Sequence, residues 1–175
     1  GDDKRWVELS KLFLSPFILR RTKDEVLKNL PRKFERNIFI ELSEEELSVY
    51  KAIRTIFIKA IETGISGRIN SIALEGLLRL RQCCVSLNLL PKSLTHKGYV
   101  KSTKIELAVK MIKDFIADGH QILVFSQFTS ALDELEERLT QDSVKLLLLT
   151  GNTRNRQVLV DSFQNDDKNK VFLIS

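Results

Sequence analysis

The stretch ILVFSQFTSALDELEERL, residues 122–139, decides the fold. Ile122, Leu123, Val124 and Phe125 form an unbroken apolar run, the pattern of a strand buried on both faces of a parallel sheet. Ser126, Gln127 and Thr129, with Phe128 among them, then break that run with polar and hydroxyl side chains. Leu132, Leu135 and Leu139 recur at helical spacing, with Asp133, Glu134, Glu136 and Glu137 between them. A polar turn leading from strand to helix presents free backbone N–H groups at the positive end of a helix dipole, which suits a phosphate. In an open parallel sheet, ligands gather at such carboxyl ends of strands.

Downstream the unit repeats. VKLLLL (144–149) reads as a second strand, and LTGNTRNR (149–156) as a polar turn. A helix is predicted over 155–164 with Val158, Leu159 and Phe163 inward, followed by a third strand, KVFLIS (170–175). The β-α-β-α-β order predicts an α/β domain with a parallel sheet and right-handed crossovers. An end inside a hydrophobic strand reads as part of a longer protein, with an apolar face of the sheet left open.

Upstream the pattern is mainly helical. Trp6, Leu9, Leu12 and Phe13 predict a short helix ended at Ser15-Pro16. TKDE (22–25), SEEE (43–46) and TKIE (103–106) have the form of capping boxes. The first would start a helix carrying Val26 and Leu27, and the second a helix through Tyr50, Ile53 and Phe57 to about residue 62. The third would open a helix on Leu107, Val109, Ile112 and Phe115, closed by Gly119. NIFIEL (37–42) alternates and predicts a strand, 72–90 a helix, and 91–101 a linker. Arg79 and Arg81, set among leucines, are expected in structural ion pairs, and Phe125 and Phe128 in packing.

Composition narrows the class. A hydrophobic share of 43% over 175 residues sustains a real core. The net charge of +5 permits a polyanionic partner without demanding one. The two cysteines, Cys83 and Cys84, are adjacent, which suits neither an ordinary disulfide nor a closed zinc site, so both are read as free thiols. His96 and His120 lack companions at ligand spacing, and no metal site is expected. No apolar run approaches the roughly 20 residues of a membrane span, and no signal peptide is visible. No membrane partner and an intracellular location are expected: cytoplasm or nucleoid in a bacterium, nucleus in a eukaryote.

With these residues laid out, the chain resembles the SWI/SNF (sucrose non-fermenting) family of helicase-like, DNA-dependent ATPases in superfamily two. PFILRRTKDEVLKNLPRK (16–33) is similar to the segment that crosses between the family's two RecA-like lobes. IELSEEELSVY (40–50) resembles its strand-then-helix stretch, with Glu46 where glutamine is usual. LLRLRQCC (77–84) resembles its leucine- and arginine-rich helix, with Ser86-Leu87 in place of the usual His-Pro. ILVFSQFTSALDEL (122–135) is similar to helicase motif IV, and LTGNTRNRQVLVDSFQ (149–164) to the next block, whose short Thr-x-x-Arg spacing looks more like the bacterial branch.

The resemblance implies an inter-lobe linker over 1–36 and a strand plus helical protrusion over 37–101. It implies the first, partial stretch of a RecA-like second lobe over 102–175. The parent would be an ATP-driven translocase on double-stranded DNA. Ser126, Gln127, Phe128, Thr129, Thr150, Gly151 and Arg156 would touch the phosphate backbone, and Arg20 and Arg21 would face the first lobe of the same chain. ATP and magnesium would be bound mainly by that first lobe, since none of the seven glycines here falls into a G-x-x-x-x-G-K-[ST] loop. No ATPase activity is expected of this stretch alone. Read without the resemblance, plain helix capping by Thr129 or Ser130 is the favoured account of the first turn, and a simple turn accounts equally for Gly151. A strand-separating helicase lobe and a non-enzymatic α/β binding module are the alternative readings.

Overall fold

The computed structural model describes residues 2–18, 33–64, 68–95 and 100–175. The chain divides into two compact units, residues 1–38 and 39–175. In the first, helix α1 spans Asp2–Leu14 and ends in a turn closed by Phe17 N–H on the Leu14 carbonyl at 2.9 Å. This is where Pro16 was expected to stop it. Trp6, Leu12 and Phe13 are exposed on it. The helix expected from TKDE, and with it Arg20 and Arg21, lies outside the described residues.

The second unit begins with two helices packed together, α2 (Glu44–Thr63) and α3 (Ile69–Cys83). The SEEE capping box forms as its sequence predicts. Glu46 N–H donates to Ser43 Oγ at 3.2 Å, and Ser43 N–H donates to the Glu46 carboxylate at 2.8 Å. The two helices approach closely where Gly76 faces Phe57: a Cβ on Gly76 would lie 2.8 Å from the ring. Helix α3 does not run on to residue 90. It ends at Cys83, and a 3-10 turn, Leu87–Leu89, follows after Ser86 turns extended and accepts Asn88 N–H on its side chain at 3.2 Å. A side-chain acceptor for the backbone competes with helix continuation, and the buried Ser86 uses it to redirect the chain.

Helix α4 (Thr103–Ala117) leads into strand β1 (Ile122–Phe125), helix α5 (Thr129–Gln141), strand β2 (Leu146–Leu149), helix α6 (Arg156–Asn165) and strand β3 (Val171–Ile174). The fold is α/β with a three-stranded parallel sheet in the order β1-β3-β2. Helix α4 closes with Gly119 at φ 86°, His120 N–H on the Phe115 carbonyl at 3.0 Å and Gly119 N–H on that of Ile116 at 2.9 Å, a Schellman stop. Helix α5 stops the same way through Ser143, at φ 60°, a conformation glycine holds more cheaply.

The core lies on one face of the sheet. Ile105, Val109 and Ile112 of α4 and Leu132, Leu135 and Leu139 of α5 pack on Val171 and Leu173, joined by Ile122, Val124, Leu146 and Leu148. Leu132, Leu139 and Leu173 are wholly buried, each stabilising by about 1.5–3 kcal/mol relative to exposure. On the other face α6 sets Phe163 against Phe172, ring centres 5.2 Å apart.

Three expectations are corrected here. β1 is not buried on both faces: it alternates, leaving Leu123 at 52% and Phe125 at 70% exposure, because β1 is an edge strand and α6 packs against β2. The open apolar face therefore sits on β1, while the final strand β3 is central and buried. NIFIEL forms no strand, since no described strand pairs with it, and Phe39 is 93% exposed. TKIE forms no capping box: Ser102 is the N-cap of α4 without a side-chain bond to it.

Glu46 replaces that missing cap from 57 residues away. Its carboxylate, 1% exposed, accepts Thr103 N–H at 2.9 Å, Thr103 Oγ1–H at 2.6 Å and Ser102 Oγ–H at 3.0 Å, besides Ser43 N–H. Burial alone would raise its pKa, but the bonds from Thr103, Ser43 and Ser102 hold the carboxyl below its ordinary value. Asn88 adds a second clasp, exchanging bonds of 2.9 and 3.0 Å with Val100 and donating to Glu134 at 3.0 Å. The stretch expected to be a linker is therefore pinned at its end to the helical hub.

Candidate functional site

Parallel pairing sets the two polar turns side by side. Phe125 and Leu149 both register with Ile174, so Ser126 and Thr150 emerge at the same carboxyl edge, on either side of β3. Ser126 N–H donates to the Ile174 carbonyl at 3.1 Å, and Ser175 N–H to that of Leu149 at 2.9 Å. Residues 24 apart in sequence thus share one end of the sheet, where β-α turns converge in folds of this kind.

Within the first turn the residues divide by role. The Ser126 hydroxyl is used inside the turn, accepting Phe128 N–H at 3.1 Å and donating to the Phe128 carbonyl at 3.2 Å. Phe128 is half-buried against the core and is the N-cap of α5, with no side-chain bond capping that helix. Thr129 is exposed and caps nothing, so the first N–H groups of α5 carry no side-chain partner. Phe125, expected to pack, is mostly exposed instead, for the edge-strand reason given above.

The second turn is self-braced. Thr150 N–H donates to Thr153 Oγ1 at 3.0 Å, and Thr153 N–H to the Thr150 carbonyl at 3.1 Å. Gly151 is not in the left-handed region, and a Cβ there would meet nothing within 4 Å. Nothing inside the described protein requires glycine at this position. Arg156 opens α6, is exposed, and reaches the Gly151 carbonyl at 3.4 Å. Asp161 is engaged by Gln157 at 2.8 Å rather than by Arg156. A cation at the positive end of a helix is unfavourable for the isolated fold, so its placement suits an anion from outside.

One member of the site was missed by sequence reasoning. Arg79 is tied by Glu75 at 3.3 Å and Gln82 at 3.0 Å, the structural pairing expected of it. Arg81 makes no ion pair among the described residues; it donates to Gln127 Oε1 across the cleft between α3 and the first turn. That cleft of about 390 Å³ is lined by Tyr50, Leu77, Arg81, Lys104, Gln127 and Phe128, among others. The only signal in the sequence was two cations within a leucine-rich stretch of the helix, which says nothing about which of them reaches across to another element. Cys84 also borders the cleft, and burial raises its pKa; burial pushes the Cys83 thiol up to about 12. Both are free thiols, poorly disposed to act as thiolates.

Among the described residues no group of three or more His, Cys, Asp or Glu side chains could hold a metal ion. The described glycines sit at a helix end, a helix crossing, a Schellman stop and the second turn, not in a phosphate-wrapping loop. The donor set therefore does not fit a magnesium–nucleoside triphosphate, and no step of hydrolysis is assigned to it. No described helix is long and apolar enough to cross a membrane.

Comparison with known proteins bears on the fold and the family. An uncharacterized ATP-dependent helicase of Mycoplasma genitalium is 30% identical over 164 residues, covering 92% of this chain and 15% of that protein. Human chromodomain-helicase-DNA-binding protein 8 is 29% identical over 198 residues, covering 99% of this chain and 8% of that protein. The chain thus spans no more than about 15% of the length of these curated relatives. The Sulfolobus solfataricus SWI2/SNF2 ATPase core in complex with dsDNA superposes with a TM-score of 0.71 at 27% identity, over 100% of this chain and 38% of that one. The SNF2-related domain matches residues 1–89, more than half of the sequence, and the chain belongs to that family.

Proposed function

We propose that this chain is the DNA-gripping and inter-lobe part of an ATP-driven translocase on double-stranded DNA. Residues 102–175 form the first stretch of its second RecA-like lobe, 37–101 a helical protrusion, and 1–36 the link to the first lobe, with Arg20 and Arg21 facing that lobe. ATP and magnesium are held mainly by the first lobe, so this chain's work is to hold the duplex while the cleft between lobes opens and closes. The observation that carries the reading is the meeting of the 126–129 and 150–156 turns at one carboxyl edge. There the start of α5 has no side-chain cap, the exposed Thr129 hydroxyl has no partner among the described residues, and the exposed Arg156 spends one donor on the Gly151 carbonyl and pairs with no carboxylate among the described residues. Donors of this kind bind phosphate oxygens and read no bases, which suits movement along any sequence.

The test is duplex binding by the protein across a salt series, with several unrelated oligonucleotide sequences. Arg156→Ala should reduce the slope of log K against log salt by about 0.9, one phosphate equivalent, equally for every sequence. An unchanged slope, or a loss confined to one sequence, would remove Arg156 and its turn from the DNA path.

A further inference from the structure

We infer that Arg81 and Lys104 extend the phosphate grip into the cleft beside the first turn, and that Arg81 sets the working orientation of Gln127. The inference rests on the proposed duplex-binding function and adds residues from outside both turns.

The argument begins with donor chemistry. An arginine side chain has donors and no acceptor, so the Gln127 atom facing it must be the amide oxygen. That contact turns the Gln127 NH2 group away from Arg81, and the NH2 has no partner among the described residues. The Arg81 guanidinium spends one N–H on Gln127, and its others have no partner among the described residues. Lys104, in the first turn of α4, is exposed on the same cleft and forms no ion pair among the described residues. Two cations and an oriented amide donor thus line one cleft with no carboxylate among its lining residues. Its remaining lining is largely apolar, from Tyr50, Leu77, Leu80, Val85 and Phe128. Low-dielectric walls concentrate the field of the two cations, and an anion is the chemistry this arrangement takes. The cleft opens directly beside Gln127 and Phe128 of the first turn, so the anion it fits is a phosphate of the same bound strand.

Arg81 is also a positioning residue. Without it the Gln127 amide is free to flip and present its oxygen, an acceptor, to the phosphate. The Arg81–Gln127 contact joins α3 to the turn over 46 residues of sequence, so the helical segment sets the geometry of the grip.

The experiment is duplex affinity by anisotropy over a salt series for Arg81→Ala, Arg81→Lys, Lys104→Ala, Gln127→Ala and Gln127→Glu, with Arg156→Ala alongside. Gln127→Glu keeps an acceptor for Arg81 and removes the NH2 donor. It should bind roughly tenfold or more weakly at unchanged thermal stability. Lys104→Ala and Arg81→Ala should each lower the salt slope by about 0.9. Arg81→Lys should restore the slope while recovering only part of the affinity, because an ammonium does not replace the planar fork. Arg81→Ala and Gln127→Ala should be markedly non-additive, as expected if one acts through the other. If Arg156→Ala loses affinity while the Arg81, Lys104 and Gln127 variants bind like wild type, the inference fails and the two-turn grip stands. If Arg156→Ala also binds like wild type, the proposed grip fails and the inference falls with it. Inorganic phosphate at matched ionic strength should displace no more duplex than chloride does. Selective displacement would reassign the cleft to a free anion and overturn its assignment to DNA.

Discussion

Two polar clusters in the second unit behave in opposite ways. Around Glu46 a buried carboxylate meets four donors, and every bond closes within the chain. At the carboxyl edge of the sheet, donors and cations of Thr129, Gln127, Lys104 and Arg156 stay exposed, and α5 starts without a side-chain cap. The first cluster is what stability requires, since a buried polar group left unpaired costs about 1–3 kcal/mol. The second is what binding requires, because a group already satisfied has nothing to offer a ligand. The contrast teaches how to separate scaffold from site when both are polar: one asks whether the bonds close internally.

The most severe way to break the comparison is Glu46→Gln. Each carboxylate oxygen faces one backbone N–H, from Ser43 on one side and Thr103 on the other. An amide would set its own N–H groups against one of those donors whichever way it turned. The expected loss is about 2–4 kcal/mol in denaturant unfolding, with duplex affinity of the folded fraction unchanged. Altered affinity without lost stability would place Glu46 in the site rather than the scaffold. The same carboxylate predicts a pH dependence. Its folded pKa lies below 4.5, so its stabilisation is present above that value and is lost as pH falls through the folded pKa. Melting temperature against pH, compared with Glu46→Gln, checks this: the variant should lose less stability on acidification than wild type.

The converse test strikes the open cluster. Gln127→Ala with Thr129→Ala should weaken duplex binding by about 1–3 kcal/mol for every sequence alike. Stability should hold to within about 0.5 kcal/mol, since Thr129 caps no helix and both residues are exposed. A binding defect that follows a fall in melting temperature would make the turn scaffold.

A smaller effect sharpens the scaffold side. Gly76→Ala forces a methyl within 2.8 Å of the Phe57 ring, at its attached carbon rather than at a free end. The clash should outweigh the gain in helix propensity and destabilise by about 1–2 kcal/mol. Unchanged unfolding would mean that α2 and α3 yield at this crossing. The smallest effect runs the other way. Ser143→Gly relieves the φ of 60° at the end of α5 and should stabilise by roughly 0.5–1 kcal/mol, with no change in DNA affinity. A loss of stability there would show that the Ser143 side chain contributes a contact beyond the stop.

Much of the fold and part of the site were legible beforehand, and the failures share a cause. The β1–turn–α5 unit, the SEEE box and the Gly119 stop follow from side chains within a few residues of one another, where spacing alone carries the information. The TKIE box failed because a competing acceptor arrived from another helix, and NIFIEL failed because alternation describes a strand but supplies no partner for it. Thr129 and Arg156 stand where their sequence context places them, at the first positions of α5 and α6. Arg81 was misassigned, because an arginine among leucines looks the same whether it pairs along its own helix or reaches across to Gln127.

What the sequence by itself determined is local: the helices and strands with strong period, their stops, the parallel α/β class, and a family resemblance borne by short ordered motifs. The tertiary structure alone decided which strand is central, hence that β3 is buried and Phe125 is not. It decided also that Glu46 serves two helices and that Arg81 orients Gln127. The reason is physical. Local signals are set by backbone geometry over one or two turns, whereas strand order and long-range hydrogen bonds depend on which of many compact arrangements buries the apolar surface while satisfying most buried polar groups.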